Sequence, residues 1–332
     1  MTSRTCITSV LRALLVLLVS CLVCACGDAQ AEPSQSGVDV TDGASAVGSL
    51  FKSGPDEGKT DGPAYEHPSE VRLSQANITS DDASDWGVID TSTASKGYVS
   101  VAVYSSERIK FQVLCNEMAY NYDVPGDGTV VTVPINMGDG WYMFRIMQNT
   151  SGDNYVEINA EGMDVYLENE FAPYLCPNQI CNYTPDSQCV KKANELISDA
   201  KNEGDVLQEI SNYIIANVKY DYPKAENAPN VTGYIPDPDD TFTTNMGICF
   251  DYAVLGAAML RSQGIPTRVM TGYVSPDNVY HSWIQVYING SWHNVQFNVN
   301  SNTWTRMDLT FAAGGGSGFV VDGKSYTDRY TY

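Results

Sequence analysis

The sequence predicts an α+β fold, with a small all-β unit in front of a helix packed on an antiparallel sheet. Three observations support it. Between residues 86 and 168, short alternating apolar runs are broken by turn residues, the pattern of a small antiparallel sandwich or barrel. After Cys249, the residues Val254, Leu255, Ala257, Ala258, Met259 and Leu260 recur at helical spacing from Phe250 to Ser262, and Gly264-Ile265-Pro266 ends the run. Beyond it, Tyr280-His281-Ser282-Trp283-Ile284-Gln285-Val286-Tyr287-Ile288 alternates as a strand and runs into Asn289-Gly290, a hairpin signal.

Residues 1–26 stand apart from the fold. Arg4 and Arg12 precede an apolar run at 13–23 that is too short and wrongly flanked for an ordinary spanning helix. The run ends in Val23-Cys24-Ala25-Cys26, which resembles a bacterial lipobox. That resemblance implies cleavage before Cys26, a lipid anchor on Cys26, and an extracytoplasmic lipoprotein of the bacterial cell membrane. Leu18-Val19-Ser20-Cys21 fits the same pattern, but cleavage at Cys26 leaves a polar Gly27-Asp28-Ala29-Gln30 start. A plain secretory signal is the alternative, and it too sends the protein out of the cytoplasm.

From 27 to 85 the chain is dominated by Ser, Gly, Asp, Pro and Thr and reads as a disordered polar tether, because such a segment buries too little to offset its ordering entropy. The β-unit is expected over 86–172. Its strands run through Tyr98-Val99-Ser100-Val101-Ala102-Val103-Tyr104, Lys110-Phe111-Gln112-Val113-Leu114 and Trp141-Tyr142-Met143-Phe144-Arg145-Ile146. Its tyrosines and Trp141 read as core or strand-face residues, with a carbohydrate- or partner-binding platform as the alternative. A linker is expected at 173–186. The second domain, 187–332, opens with helices near 187–200 and 205–218, the latter with Val206, Ile210, Tyr213, Ile214 and Val218 on one face. A long loop rich in Pro, Asn and Asp follows at 223–240. Its Asp237, Asp239 and Asp240 read as a solvated turn, since Pro238 and the missing Gly and Glu positions do not fit a calcium loop. The closing Tyr326 to Tyr332 carries no motif.

The chain of 332 residues has 40 acidic and 19 basic side chains, a formal net charge of -21. With no basic patch to offset that charge, nucleic acid is not an expected partner. Of 9 cysteines, Cys6, Cys21, Cys24 and Cys26 lie in the export segment. Cys115, Cys176, Cys181, Cys189 and Cys249 remain, an odd number that flags one free thiol in an exported protein. If Cys249 is that thiol, the other four allow two disulfides in three connectivities. Zinc at Cys176, Cys181 and Cys189 is the rival reading. The wide spacing and the lack of histidine in the region speak against it, so neither metal nor cofactor is expected.

The chemistry centres on Cys249. Placed at a helix N-terminus, its sulfur meets free N–H groups and the positive end of the helix dipole, a setting that favours a thiolate. A base is needed, and the chain holds only His67, His281 and His293. His281, at the start of its strand, is the one suited to face a helix-terminal thiol. A third group must fix the imidazole, and Asp308 in Trp304-Thr305-Arg306-Met307-Asp308-Leu309-Thr310-Phe311 is the candidate.

Taken in order, Gly247-Ile248-Cys249, Gly264-Ile265-Pro266-Thr267-Arg268, Gly272-Tyr273, His281-Ser282-Trp283 and Asp308 resemble the bacterial transglutaminase-like superfamily, over roughly residues 186–311. The resemblance implies a papain-like fold with a Cys–His–Asp triad: Cys249 as nucleophile, His281 as base, Asp308 as orienting carboxylate. One departure stands out. Where many relatives carry the carboxylate soon after a Trp, Trp292-His293-Asn294-Val295 is followed by Gln296. An inserted hairpin turning at 299–303 delays the carboxylate to Asp308; otherwise Gln296 orients His281, or the triad is incomplete. The expected function is a cell-surface thiol enzyme performing acyl transfer on protein or peptide amides, as a transglutaminase or a cysteine peptidase. The alternative is an inactive module of the same fold that serves binding or adhesion.

Overall fold

A computed structural model describes residues 58–228, 233–275, 278–293, 296–314 and 326–332. The export segment and residues 27–57 of the tether expected at 27–85 lie outside them. In chain order the strands of the first half are β1 (Lys59–Asp61), β2 (Val88–Asp90), β3 (Tyr98–Ala102), β4 (Ile109–Cys115), β5 (Met118–Val124), β6 (Val131–Pro134), β7 (Gly140–Ser151) and β8 (Asn154–Val165). The second half runs α1 (Gln188–Leu196), α2 (Glu203–Asn217), β9 (Lys219–Tyr220), α3 (Tyr222–Asn227), α4 (Pro238–Thr244), β10 (Met246–Gly247), α5 (Cys249–Ser262), β11 (Thr267–Val274) and β12 (Val279–Val286). It closes with β13 (Ser291–His293), β14 (Asn298–Val299), β15 (Thr305–Met307), α6 (Leu309–Ala313) and β16 (Tyr326–Thr331). The fold is α+β, with a mostly stranded N-terminal region as the sequence predicts.

Strands β2 to β8 form two antiparallel sheets, ordered β2-β3-β6 and β5-β4-β7-β8. Alternation sends Phe111, Val113, Tyr142, Phe144 and Ile146 inward, where they join Val99, Val101 and Val103 in one apolar core. Trp141 stays exposed on the outer face, beside Gly162, where a Cβ would lie 2.8 Å from its ring.

In the second half, β15-β12-β11-β16 form an antiparallel sheet. α5 is buried from Asp251 to Ser262, and its Val254, Leu255, Ala258 and Met259 join Val269, Ile284, Val286 and Met307 of the sheet in the core. A helix buried on all sides needs apolar residues around its whole circumference, which α5 has. It ends as its sequence requires, with Gln263 as C-cap and Gly264 in the left-handed region at φ 76°.

Several expectations need correction. Residues 58–85 are not free chain: β1 pairs antiparallel with β13, Lys59 opposite His293, and Tyr65 donates from its hydroxyl to the Gln263 carbonyl at 2.8 Å. Edge pairing uses backbone groups that every residue carries, so polar composition did not reveal it. The expected linker at 173–186 is largely buried, with Tyr174, Leu175, Cys176, Cys181 and Tyr183 inside and a core shared between the β-unit and the helices. Asn289-Gly290 does not make a hairpin from β12. The following strand instead pairs with β1 and β14, and Gly290 sits against Asp61, where a Cβ would lie 2.2 Å from the carbonyl oxygen. The insertion before Asp308 is the β13–β14 pair, and a turn at 301–302 within the expected 299–303 leads from β14 into β15. The loop at 223–240 holds α3 and the start of α4. Asp237 caps α4, and Asp239 accepts from the N–H groups of Gln188 and Cys189, both at 2.9 Å.

The expected disulfides are not formed; Cys115, Cys176, Cys181, Cys189 and Cys249 are all unbridged. The first four serve as buried side chains in separate settings: Cys115 ends β4, Cys181 faces the Val254 carbonyl of α5, and Cys189 lies in the first turn of α1. Burial raises each of their thiol pKa values, which keeps them protonated.

Arg261, 1% exposed, ties the second half together. It donates to the carbonyls of Thr267 at 2.8 Å, Cys176 at 3.2 Å and Tyr332 at 2.7 Å. Replacing it strands three acceptors, and the loss exceeds what a matched apolar side chain returns. Arg261→Met is expected to lower unfolding free energy by about 3 kcal/mol, read from the urea midpoint. An unchanged midpoint would show that this crosslink contributes nothing.

Candidate active site

Cys249 is the first residue of α5, directly after the short parallel pairing of β10 with β9, which sets Gly247 opposite Tyr220. Only glycine fits at 247, since a Cβ there would lie 2.6 Å from the Asp251 Cβ. Asp251, in the first turn of α5 and fully buried, accepts from the Ile248 N–H at 2.8 Å and from Lys224 Nζ at 2.8 Å. Tyr234 donates its hydroxyl to the same carboxylate. A carboxylate at the positive end of a helix is itself stabilised there. Through these contacts α3 and the chain around Tyr234 are fastened beside the nucleophile. Tyr220 lies close as well: burial first, then the nearby Cys249 and Tyr222, raise the pKa of its phenol.

His281 stands near the start of β12, with Gly272 of β11 as its cross-strand partner. Its Nε2 meets Asp308 Oδ2 at 2.7 Å, and Cys249 lies close enough for its sulfur to act on the ring's charge. The structure thus brings Cys249, His281 and Asp308 into one cluster. The two other histidines lie elsewhere: the His67 ring packs on Tyr65, and His293 bonds Asn298. Gln296 directs its Nε2 to the Ala312 carbonyl at 3.3 Å, while Nε2 of His281 is taken by Asp308.

Asp308 is the N-cap of α6 and accepts from the Phe311 N–H at 3.1 Å through Oδ1. A cap of this kind fixes the carboxylate before it meets the imidazole. The same helix turn places the Phe311 ring on the His281 ring, at 4.5 Å between centroids and 15° between planes. The Trp283 ring, two residues along β12, lies 6.3 Å from the His281 ring between centroids. Tyr326 of β16 donates its hydroxyl to Asp308 Oδ2 at 3.0 Å. Phe311 and Tyr326 carried no signal of their own in the sequence. The Phe311 contact follows from the cap at Asp308, and the Tyr326 contact from the pairing of β16 with β11.

Burial alone would lower the His281 pKa, but the charges of Asp308 and Cys249 and the hydrogen bond to Asp308 oppose it, and the pKa rises from 6.5 to about 10. Near neutral pH the ring is an imidazolium facing a sulfur on one side and a carboxylate on the other. Because the folded state holds this proton more tightly, its stabilising contribution is complete below pH 6.5 and is lost as the pH rises through about 10. Histidine NMR on a chain with only three such rings is expected to show His281 titrating near pH 10. In Asp308→Asn the midpoint is expected to fall by about 1 unit or more. A wild-type midpoint near 6.5 would contradict the geometry.

Residues 190–308 match the model of the Transglutaminase-like superfamily. Over 121 residues the chain is 30% identical to an uncharacterized protein of Mycobacterium leprae, an alignment that takes in 33% of this chain and 41% of the relative's length. Among solved structures, a proposed cysteine protease from Cytophaga hutchinsonii is similar at 16% identity and a TM-score of 0.33, covering 71% of this chain and 87% of that one. Red sea bream transglutaminase is similar at 12% identity and a TM-score of 0.26, covering 68% of this chain and 54% of that one. The family match begins within α1 and ends on the residue that caps α6, so it encloses Cys249, His281 and Asp308. Residues 190–308 of this chain are thus similar to the core of the transglutaminase-like superfamily, and the alignment to the Mycobacterium leprae protein spans less than half of that relative's length.

Proposed function

We propose that this protein is an extracytoplasmic thiol enzyme that transfers acyl groups from protein or peptide amides, using Cys249, His281 and Asp308. The observation that supports the reading is the His281 ring, bonded at Nε2 to Asp308 and near enough to Cys249 for the sulfur to raise its pKa. In this mechanism the Cys249 sulfur, its proton given to His281, attacks the amide carbonyl carbon. N–H groups of the first turn of α5, which have no intrahelical acceptor, receive the developing oxyanion. The C–N bond then breaks, His281 returns its proton to the departing amine, and a thioester remains on Cys249. Water or a primary amine attacks that thioester, with His281 taking the proton, and the free sulfur is restored. Asp308 holds the ring in place and stabilises its cation throughout.

Hydrolysis and amine transfer share every step up to the thioester. Which of them follows depends on how water and amine reach the sulfur. The test is to incubate the ectodomain with a glutamine-containing peptide and a labelled primary amine, beside Cys249→Ala, and read the products by mass spectrometry. Conjugate or cleaved peptide is expected from the wild type, falling by about a thousand-fold or more in the variant. Equal product from both would remove Cys249 from the chemistry.

We also assign the protein to the membrane surface through a lipid at Cys26. The polar composition of 27–57 suits a spacer between that anchor and the folded part. In cell fractionation Cys26→Ala is expected to leave the membrane fraction, and retention there equal to wild type would argue against the anchor.

A further inference from the structure

Asp308 carries more than its histidine. Oδ1 accepts the Phe311 N–H, while Oδ2 accepts from both His281 Nε2 at 2.7 Å and the Tyr326 hydroxyl at 3.0 Å. We propose that Tyr326 is a positioning residue for the His281–Asp308 pair, and that strand β16 carries it there from an anchorage on the N-terminal β-unit. The proposal rests on the thiol-enzyme reading and adds a fourth side chain to it.

The phenol is held from three sides. Its ring stands edge-on to Trp283, at 4.8 Å and 77°, and the Arg306 guanidinium of β15 lies 4.0 Å from its centroid. Burial and the adjacent Asp308 keep the hydroxyl protonated, so it remains a donor to the carboxylate. With one donor on each side of Oδ2 and a third on Oδ1, the carboxylate has little freedom to turn away from the imidazole.

The backbone is arranged to bring the phenol in. Tyr326 pairs with Val274 on β11, and the register shifts by one residue between Thr271 and Gly272. A Cβ at Gly272 would lie 2.0 Å from the Thr327 carbonyl oxygen and 2.9 Å from the Trp283 ring, so only glycine lets β16 close onto the sheet here. The Gly272-Tyr273 pair belongs to the recognised motif set, and its glycine faces His281 across the strands.

The far end of β16 reaches the β-unit. The Thr331 N–H donates to the Tyr120 hydroxyl at 3.1 Å, and Asn136 Nδ2 donates to the Thr331 carbonyl at 2.5 Å. Tyr330 and Tyr332 pack edge-on against Tyr120, with centroids at 5.2 and 5.7 Å. One six-residue strand therefore spans from the β-unit to the carboxylate. This gives the β-unit a part in the active centre without supplying a reacting group.

The test is Tyr326→Phe, which keeps the ring against Trp283 and under Arg306 and removes only the donor. The titratable and charged groups facing the pair are Cys249 from α5, Tyr326 from β16 and, behind its ring, Arg306 from β15. Without the phenol hydrogen bond the Asp308 charge is less shared and holds the imidazolium more tightly. The His281 NMR midpoint is expected to rise by about half a unit to one unit, and acyl transfer to fall about ten-fold. A simple packing role would move neither the titration nor the ratio of activity to folded protein. Unchanged titration in Tyr326→Phe overturns the proposal whether or not the wild type is active. A wild type that forms no product, with a shifted titration in the variant, rejects the enzyme reading and leaves the positioning of His281 by Tyr326 standing.

Discussion

The second half of the fold is arranged around a buried ion pair, the His281 imidazolium against the Asp308 carboxylate, 6% and 1% exposed. A pair so removed from water is stable only if geometry is good and the remaining lone pairs are occupied. Each nearby element contributes to that. α6 presents a backbone N–H to Asp308, β16 presents a phenol, and Phe311 and Trp283 line the imidazole. Replacing that packing with open solvent would weaken the attraction between the charges and release the ring from its orientation.

The nucleophile is positioned by a second set of contacts that shares no residue with the first. Asp251 gathers the Ile248 N–H, Lys224 and Tyr234, which anchors the segment ahead of α5 to the helix start. Gly247 permits the close approach between β10 and that carboxylate. The cysteine and the histidine are thus fixed independently, one by a helix end and its acidic cap, the other by the central sheet. Their meeting is a consequence of how α5 packs on β11 and β12.

Much of this was legible in the chain. The apolar run after Cys249, the stop at Gly264-Ile265-Pro266 and the alternation around His281 specify a helix and a strand through side-chain periodicity, and α5 and β12 follow them. Residue type and order singled out Cys249, His281 and Asp308, and the Asp308 carboxylate does lie on the His281 ring. Contacts that periodicity does not encode escaped. β1 joins β13 through backbone groups in a polar stretch, and β16 seats Tyr326 through a glycine on another strand. Asn289-Gly290 has hairpin chemistry, yet its glycine serves close packing against Asp61. Cysteine parity predicted disulfides where the fold uses four thiols as buried apolar side chains.

The dependence of sulfur reactivity on the imidazole and its carboxylate is the central claim, and alkylation kinetics address it most directly. Iodoacetamide at neutral pH, read residue by residue by mass spectrometry, is expected to modify Cys249 ahead of the four buried cysteines. That rate is expected to fall about a hundred-fold in His281→Ala and clearly in Asp308→Ala. A Cys249 that reacts at the same rate in wild type and both variants would contradict the proposed triad.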